Sequence, residues 1–290
     1  MTHEEKITQW IGPGKIGTEV GAGGRPVPGP LEPPAIQVDC FKAFGADTCV
    51  ADFYGHACAL PFHDHALDYV LASHVLEHVA NPVAALAEWF RVVRPGGIIY
   101  LIVPDRRVTW DRTRELTSAE HMLEDYARGV TASDATHIDE FAGTVHESFF
   151  GPNLSAEEVA ERRITFARGL HETVARGEDI NIHFHTFEPA NLRELLETLS
   201  RPKTGPSDLS SATIPTTPRL RWQIVDFAEF FPAGLSNGVL AVLQVEKGWR
   251  ALADSQALRI RALEDPRALL REAEPFADWA ARTPGLGGVR

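Results

Sequence analysis

The chain has 290 residues, 44% of them apolar and 23% charged, with a formal net charge of −12 at pH 7 and a pI near 5.5. That length supports one large domain or two modest ones, and the acidic balance argues against a broad electrostatic footprint on nucleic acid or an anionic membrane surface. Three cysteines without metal-ligand spacing (Cys40, Cys49, Cys58) point to reduced thiols in a cytoplasmic protein. No signal peptide opens the chain, and no apolar run approaches the roughly 20 residues of a membrane helix.

Met1 to Lys15 is polar and reads as frayed or as a short lead-in. Ile16 to Val20 is the first expected strand, followed by Gly21-Ala22-Gly23-Gly24, where bare backbone lets a ligand approach closely. The proline-rich run Arg25 to Pro34 excludes a regular helix. Ala35 to Cys40 reads as a second strand with Asp39 near its end, and Thr48 to Phe53 as a third ending at Asp52. Leu67 to Ala72 and Ile98 to Val103 are short apolar runs that read as buried strands. Between them Pro82 to Val93 carries apolar residues at helical spacing, with proline at the start and Pro95-Gly96-Gly97 turning the chain into the next strand. Two buried strands joined by a helix form a parallel crossover, and ligands of such sheets sit outside the carboxyl ends of the strands.

A glycine turn after the first strand invites a dinucleotide reading. Gly21 and Gly23 fit the first two glycines of G-x-G-x-x-G, but Pro26 takes the third position and no helix follows to hold a pyrophosphate. His74-Val75-Leu76-Glu77-His78 also matches the H-x-x-E-H spacing of some zinc peptidases. Its place at a strand end favours His74 as a residue of the cofactor or substrate mouth, with Glu77 and His78 ordering the next turn.

From Ile16 to Asp105 the chain resembles the cofactor-binding core of class I S-adenosylmethionine-dependent methyltransferases, of the broad methyltransferase-domain type. The resemblance rests on Glu19-Val20-Gly21-Ala22-Gly23, Asp39, Ala51-Asp52 with Leu60-Pro61-Phe62, Leu67-Asp68-Tyr69-Val70, His74 to His78, and Glu88 with Arg91 to Gly97, in that order. It implies an α/β, Rossmann-like, seven-stranded and mostly parallel sheet with helices on both faces. It also implies S-adenosyl-L-methionine as cofactor, with Glu19, Gly21 and Gly23 at the methionine part, Asp39 on the ribose hydroxyls and Asp52 with Phe53 at the adenine. That cofactor has no phosphate, so the missing helix after the glycines matters less.

Beyond Asp105 the core pattern pauses. Thr117 to Glu120 is a capping box opening a helix that Gly129 closes, Ser133 or Asp134 is suited to cap a second helix, and Ser155 to Glu158 opens a long third one. His121 and Asp125 share a helical face, as do His137 and Glu140, while Asn181, His183, His185 and Phe187 fall on one side of the stretch if it is extended. The core resumes with a helix over Ala190 to Leu199 and strands over Leu220 to Phe227 and Gly238 to Val245, the last two expected to finish the sheet antiparallel. Arg201 to Pro218 reads as a loop, and Trp249 to Arg282 as a helical tail broken at Pro266 and Pro275. The organisation is therefore a core over residues 1–105, a helical substrate lid over 106–185, core completion over 186–248 and a tail over 249–290.

The expected function is methyl transfer from S-adenosylmethionine to a small molecule, an anionic or secondary metabolite. A nicotinamide-dependent oxidoreductase and a non-catalytic relative of the fold are the alternatives. Candidate general bases are His121, His137, Glu140, His183 and His185, since imidazole titrates near neutrality. A divalent metal within His137, Glu140, His183 and His185 is the competing use of those side chains. Arg106 and Arg107 are candidate anion-binding residues, because guanidinium forks match carboxylate and phosphate. Neither a nucleic-acid nor a membrane partner is expected, and the sequence carries no signal for oligomeric state.

Overall fold

A computed structural model describes residues 1–44, 47–200 and 218–271. Seven strands form one sheet: β1 (Gly17–Val20), β2 (Ile36–Asp39), β3 (Phe53–Tyr54), β4 (Leu67–Ser73), β5 (Val93–Pro104), β6 (Trp222–Phe231) and β7 (Gly238–Val245). Their order is β3-β2-β1-β4-β5-β7-β6. The first five pair in parallel, and β7 runs antiparallel between β5 and β6. The mostly parallel α/β sheet expected from the sequence is thus present, with the last two strands paired antiparallel.

The central strands are apolar on both faces because both faces are covered. Val70, Ala72, Ile99 and Leu101 point into one core with α2 (Pro82–Val92), α6 (Pro189–Ser200) and α7 (Trp249–Glu264). Tyr69, Leu71, Tyr100 and Ile102 point the other way, against α1 (His3–Trp10). Of the two expectations for this segment, frayed or a short lead-in, that first helix removes the frayed one. Thr2 and Glu5 close a capping box, Ile7 is fully buried, and Lys6 and the Trp10 indole both bond Asp226. The polar sequence hides only one apolar stripe, and the sheet supplies its partner.

Local chemistry explains the crossover. Asn81 accepts from the Ala84 amide at 3.0 Å to cap α2, Pro82 takes its first position, and Val83, Leu86 and Trp89 face the sheet. Strand pairing already begins at Val93, earlier than expected, and the ladder slips between Leu67 and Tyr69 to accommodate Pro95-Gly96-Gly97. A Cβ at Gly97 would stand 2.6 Å from the Asp68 carbonyl oxygen, so only glycine fits there.

The third strand differs from its expected span. Asp47–Thr48 pair with Ala43–Phe44 in a separate two-stranded ribbon, and only Phe53–Tyr54 join the main sheet. The Asp52 carboxylate accepts from the Gln37 amide at 2.8 Å at the entry to β3, so the strand closes at Tyr54 and Gly55 instead.

Between β5 and α6 lie α3 (Ala119–Arg128), α4 (Ile138–Thr144) and α5 (Ala156–Ala175). Ser118, not Thr117, caps α3, because the Thr117 amide and hydroxyl face Thr186. His137 stands at the N-cap of α4, while the Asp134 carboxylate binds the Thr136 amide ahead of it. Ser155 and Glu158 form the expected capping box of α5. Ile138, Phe141, Val145, Ile182 and Phe184 give this segment a small core of its own. The expected loop over 201–217 and the tail beyond 271 lie outside the described residues.

Candidate active site

The parallel strands deliver their carboxyl ends to one cleft. Gly21 follows β1 with φ +68°, and its amide donates to the Val38 carbonyl at 2.8 Å. A Cβ there would stand 2.7 Å from Val75, so glycine is required both by dihedral and by space. Asp39 closes β2 nearly buried. Its Oδ2 accepts from the Gly23 amide at 3.1 Å and its Oδ1 from the Phe41 amide at 2.9 Å. One half of the cleft, about 360 Å³, is lined by Val20, Gly55, His56, Ala57, Val79 and Val130, among others. The other, about 350 Å³, is lined by Gly23, Asp39, His74 and Asn181. Gly21, Cys40, Phe41, Val75 and His78 line both halves, so the two are continuous.

Several expected residues stand elsewhere. Glu19 is buried beneath the cleft, accepting from the Val27 amide at 2.7 Å and from Gln37 Nε2 at 3.1 Å; burial pushes its carboxyl above the usual range. It braces the turn from below. Asp52 binds backbone at the opposite end of its strand, and Phe53 packs edge-on to Phe62 with ring centres 6.5 Å apart. The cleft position after β3 belongs to His56, whose Nε2 pairs with Asp179 at 3.1 Å. Reading one strand two residues further would have found His56; no local pattern marks Asp179.

At the mouth, His74 adopts φ +57° and its Nδ1 lies 3.7 Å from Glu77, with His78 Nε2 at 3.9 Å from the same carboxylate oxygen. Burial and the neighbouring His183 push the imidazoles down, His74 to about 4 and His78 to about 3. Burial pushes Glu77 up to about 7. Both imidazoles are therefore neutral at pH 7, which suits a cleft that is to accept a sulfonium cation. Burial raises the Cys40 and Cys58 thiols, Cys58 to about 12, so neither offers a thiolate nucleophile.

The insertion histidines sort into two groups. His183 Nδ1 bonds Asp111 Oδ2 at 2.6 Å, and its ring meets the edge of His78 at 4.5 Å between centres. Asp111 in turn holds the buried Arg114, which also reaches Glu140 at 2.6 Å and the His183 carbonyl at 2.8 Å. Burial alone would raise the Asp111 carboxyl, but bonds from His183 and Arg114 hold it below the usual range. His121, His137 and His185 gather instead around Asp125, at the far side of α3. The expected metal set of His137, Glu140, His183 and His185 is therefore divided: Glu140 is occupied by Arg114 and His183 by Asp111. Residues two apart would share a face in a regular strand, but the segment bends at Ile182 and His185, so His183 and His185 turn to different partners. Arg106 pairs with Glu188 at 2.7 Å, and Arg107 with Asp105 at 2.6 Å and Glu229 at 3.1 Å; neither lines the two halves of the cleft.

A parallel sheet with a glycine turn after β1, an acid closing β2 and a reversed last strand has the α/β fold of class I S-adenosylmethionine-dependent methyltransferases. Residues 36–101 match the family model described as a methyltransferase domain. It is similar to a solved S-adenosylmethionine-dependent methyltransferase of Methanosarcina mazei, at 16% identity over 86% of this chain and 100% of that one, with a TM-score of 0.43. It is also similar to a possible histamine N-methyltransferase of Thermotoga maritima, at 15% identity over 83% and 87% of the chains, with a TM-score of 0.38. No curated protein matches the chain. Among the described residues, no helix is long and apolar enough to cross a membrane.

Proposed function

We propose that the protein transfers the methyl group of S-adenosylmethionine to a small-molecule acceptor that gives up a proton to His183. The observation that carries this reading is Asp39, a nearly buried carboxylate closing β2, bonded to the Gly23 amide and lining the continuous cleft together with the Gly21 to Gly24 turn. Its oxygens are suited to a ribose diol, Gly21 and Gly23 open the backbone to the methionine part, and His56 stands at the adenine end where the sequence had pointed to Asp52. S-adenosylmethionine, when bound, supplies an electrophilic methyl carbon. His183 keeps its Nδ1 proton on Asp111 and turns Nε2 to accept a proton, as a general base requires. His74 and His78 flank that position as neutral hydrogen-bonding groups, and Trp110, half exposed with its ring 5.9 Å from His183, offers an apolar wall to the acceptor. Holding donor and acceptor in line supplies most of the acceleration in such a displacement.

A cytoplasmic setting accompanies this reading, supported by three cysteines that form no disulfide. The test is equilibrium binding of S-adenosylhomocysteine, S-adenosylmethionine and NAD to the purified full chain, with Asp39→Ala as the control. Binding of the first two, weakened at least about tenfold by Asp39→Ala through loss of charge-assisted bonds, supports it. Tight NAD binding with none of the other two overturns it.

A further inference from the structure

We propose that His121, Asp125, His137 and His185 form a four-ligand site for a divalent transition ion of the zinc class, one that fastens the insertion to the core. Asp125 Oδ2 lies 3.3 Å from His121 Nε2, 3.2 Å from His137 Nε2 and 3.0 Å from His185 Nε2. His121 Nε2 and His137 Nε2 are themselves 3.2 Å apart, and the four ligand atoms all lie within 4.8 Å of one another. Tetrahedral zinc with bonds of about 2.0–2.1 Å has ligand atoms about 3.3 Å apart along each edge. The three separations from Asp125 and the one between His121 and His137 are close to that edge.

Proton counting points the same way. With a hydrogen on all three Nε2 atoms, two N–H groups of His121 and His137 meet head to head. With a hydrogen removed from one of them, its lone pair faces the carboxylate lone pairs. A cation at the centre removes the conflict, because all four groups then direct lone pairs inward. Two further contacts suit that role, while His185 Nδ1 is buried without a hydrogen-bond partner. His137 Nδ1 lies 2.9 Å from the Thr136 hydroxyl, an outer-shell partner that orients the ring, and Arg128 occupies the other Asp125 oxygen, leaving Oδ2 as a single donor. Asp125 and His185 are fully buried and His137 nearly so, whereas the His121 side chain is 42% exposed and marks the entry path.

The placement defines what the ion does. Two ligands come from α3, one from the N-cap of α4 and one from the segment that returns to the core before α6. Asn81, which caps α2 and lines the cleft, bonds the Asp125 carbonyl, and Gly129 to Ala132, just past α3, wall the same cleft. An ion here pins the wall of the proposed cofactor pocket without touching its contents. Glu77, His78 and His183 are a separate group, of which His78 lines the cleft, and belong to the site described above. Zinc binding itself does not depend on the methyl-transfer reading.

The experiment uses untagged full-length protein, stripped with chelator, then titrated with Zn²⁺ or Co²⁺ and assayed for metal content, Co²⁺ visible absorption, thermal midpoint and S-adenosylhomocysteine affinity. One equivalent per chain, tetrahedral Co²⁺ bands and a zinc-dependent rise in midpoint are expected. His121→Ala, at the most exposed ligand, keeps the fold by circular dichroism and weakens zinc binding by at least about tenfold. Substoichiometric retention, or unaltered affinity in both His121→Ala and Asp125→Asn, overturns the proposal. Zinc binding with no S-adenosylhomocysteine affinity in any state would leave the metal site standing and remove the methyltransferase reading alone.

Discussion

His183 and Asp111 are 72 positions apart in sequence, yet the imidazole Nδ1 and the carboxylate Oδ2 stand 2.6 Å apart, buried within the insertion. A carboxylate there fixes the Nδ1–H tautomer and the ring orientation. Asp111→Asn should leave S-adenosylhomocysteine affinity unchanged while lowering kcat by about 10²–10⁴, the usual range for a general base. Steady-state kinetics alongside equilibrium binding checks this, and an unchanged kcat would remove His183 from the reaction.

The two turn glycines should differ. Gly21→Ala meets both a left-handed dihedral, costing roughly 1–2 kcal/mol, and Val75 at 2.7 Å from the new Cβ. Gly23→Ala meets only the dihedral, at φ +57°, with open space around it. Isothermal titration with S-adenosylhomocysteine should show the larger loss for Gly21→Ala; the reverse order would mean the turn rearranges on binding.

Asp68 joins three parts of the core. It bonds the Ile16 amide at 2.9 Å and pairs with Arg94 at 2.5 Å and with Arg259 of α7 at 2.7 Å. Removing a buried partner leaves the remaining charge uncompensated, so Asp68→Ala should lower stability by about 3 kcal/mol, reduced to the extent that water reaches the half-exposed Arg259. Urea unfolding with an unchanged m-value measures it.

Stability should climb as pH rises from about 4 to 6.5. His74 and His78 have folded values near 4 and 3, below those of the unfolded chain, so the unfolded state binds more protons across that window and loses the advantage as pH rises. Glu77 acts oppositely: its folded value near 7 exceeds the unfolded one of 4.5, so its contribution is present at low pH and lost between those values. Thermal midpoints should therefore climb, and more steeply in Glu77→Gln. A flat profile in both proteins would mean that the imidazoles are charged in the native state.

Replacing Arg106 and Arg107 together tests whether they touch an anionic acceptor. Their guanidiniums are taken by Glu188, Asp105 and Glu229, and the exposed part of such pairing is worth about 0–1 kcal/mol. The expected outcome is a slightly lower thermal midpoint and an unchanged acceptor KM; a several-fold rise in KM would restore them to the substrate site.

What was legible in the sequence was local. The crossover from Leu67 to Val103, the cap at Asn81, the glycine turn and the acid at Asp39 each follow from side-chain period, turn geometry or position within a few residues. The end of β3 was misplaced by two residues, because Asp52 looks like a strand-end acid until its carboxylate is seen on the Gln37 backbone. That small shift exchanged Asp52 for His56 in the cleft. The lead-in helix α1 was missed for a related reason: its apolar stripe has meaning only once the second face of the sheet exists to receive it.

By itself the sequence determined an α/β crossover core and a histidine-rich insertion beyond β5, since hydrophobic period and backbone-permissive residues act over a few positions. Only the tertiary structure decided how the insertion's histidines divide. His183 went to Asp111 beside the cleft, and His121, His137 and His185 went to Asp125 behind its wall. Partners that lie 60 and 72 positions away in sequence meet only when helices α3 and α4 fold back on the returning chain, and no local pattern encodes that meeting.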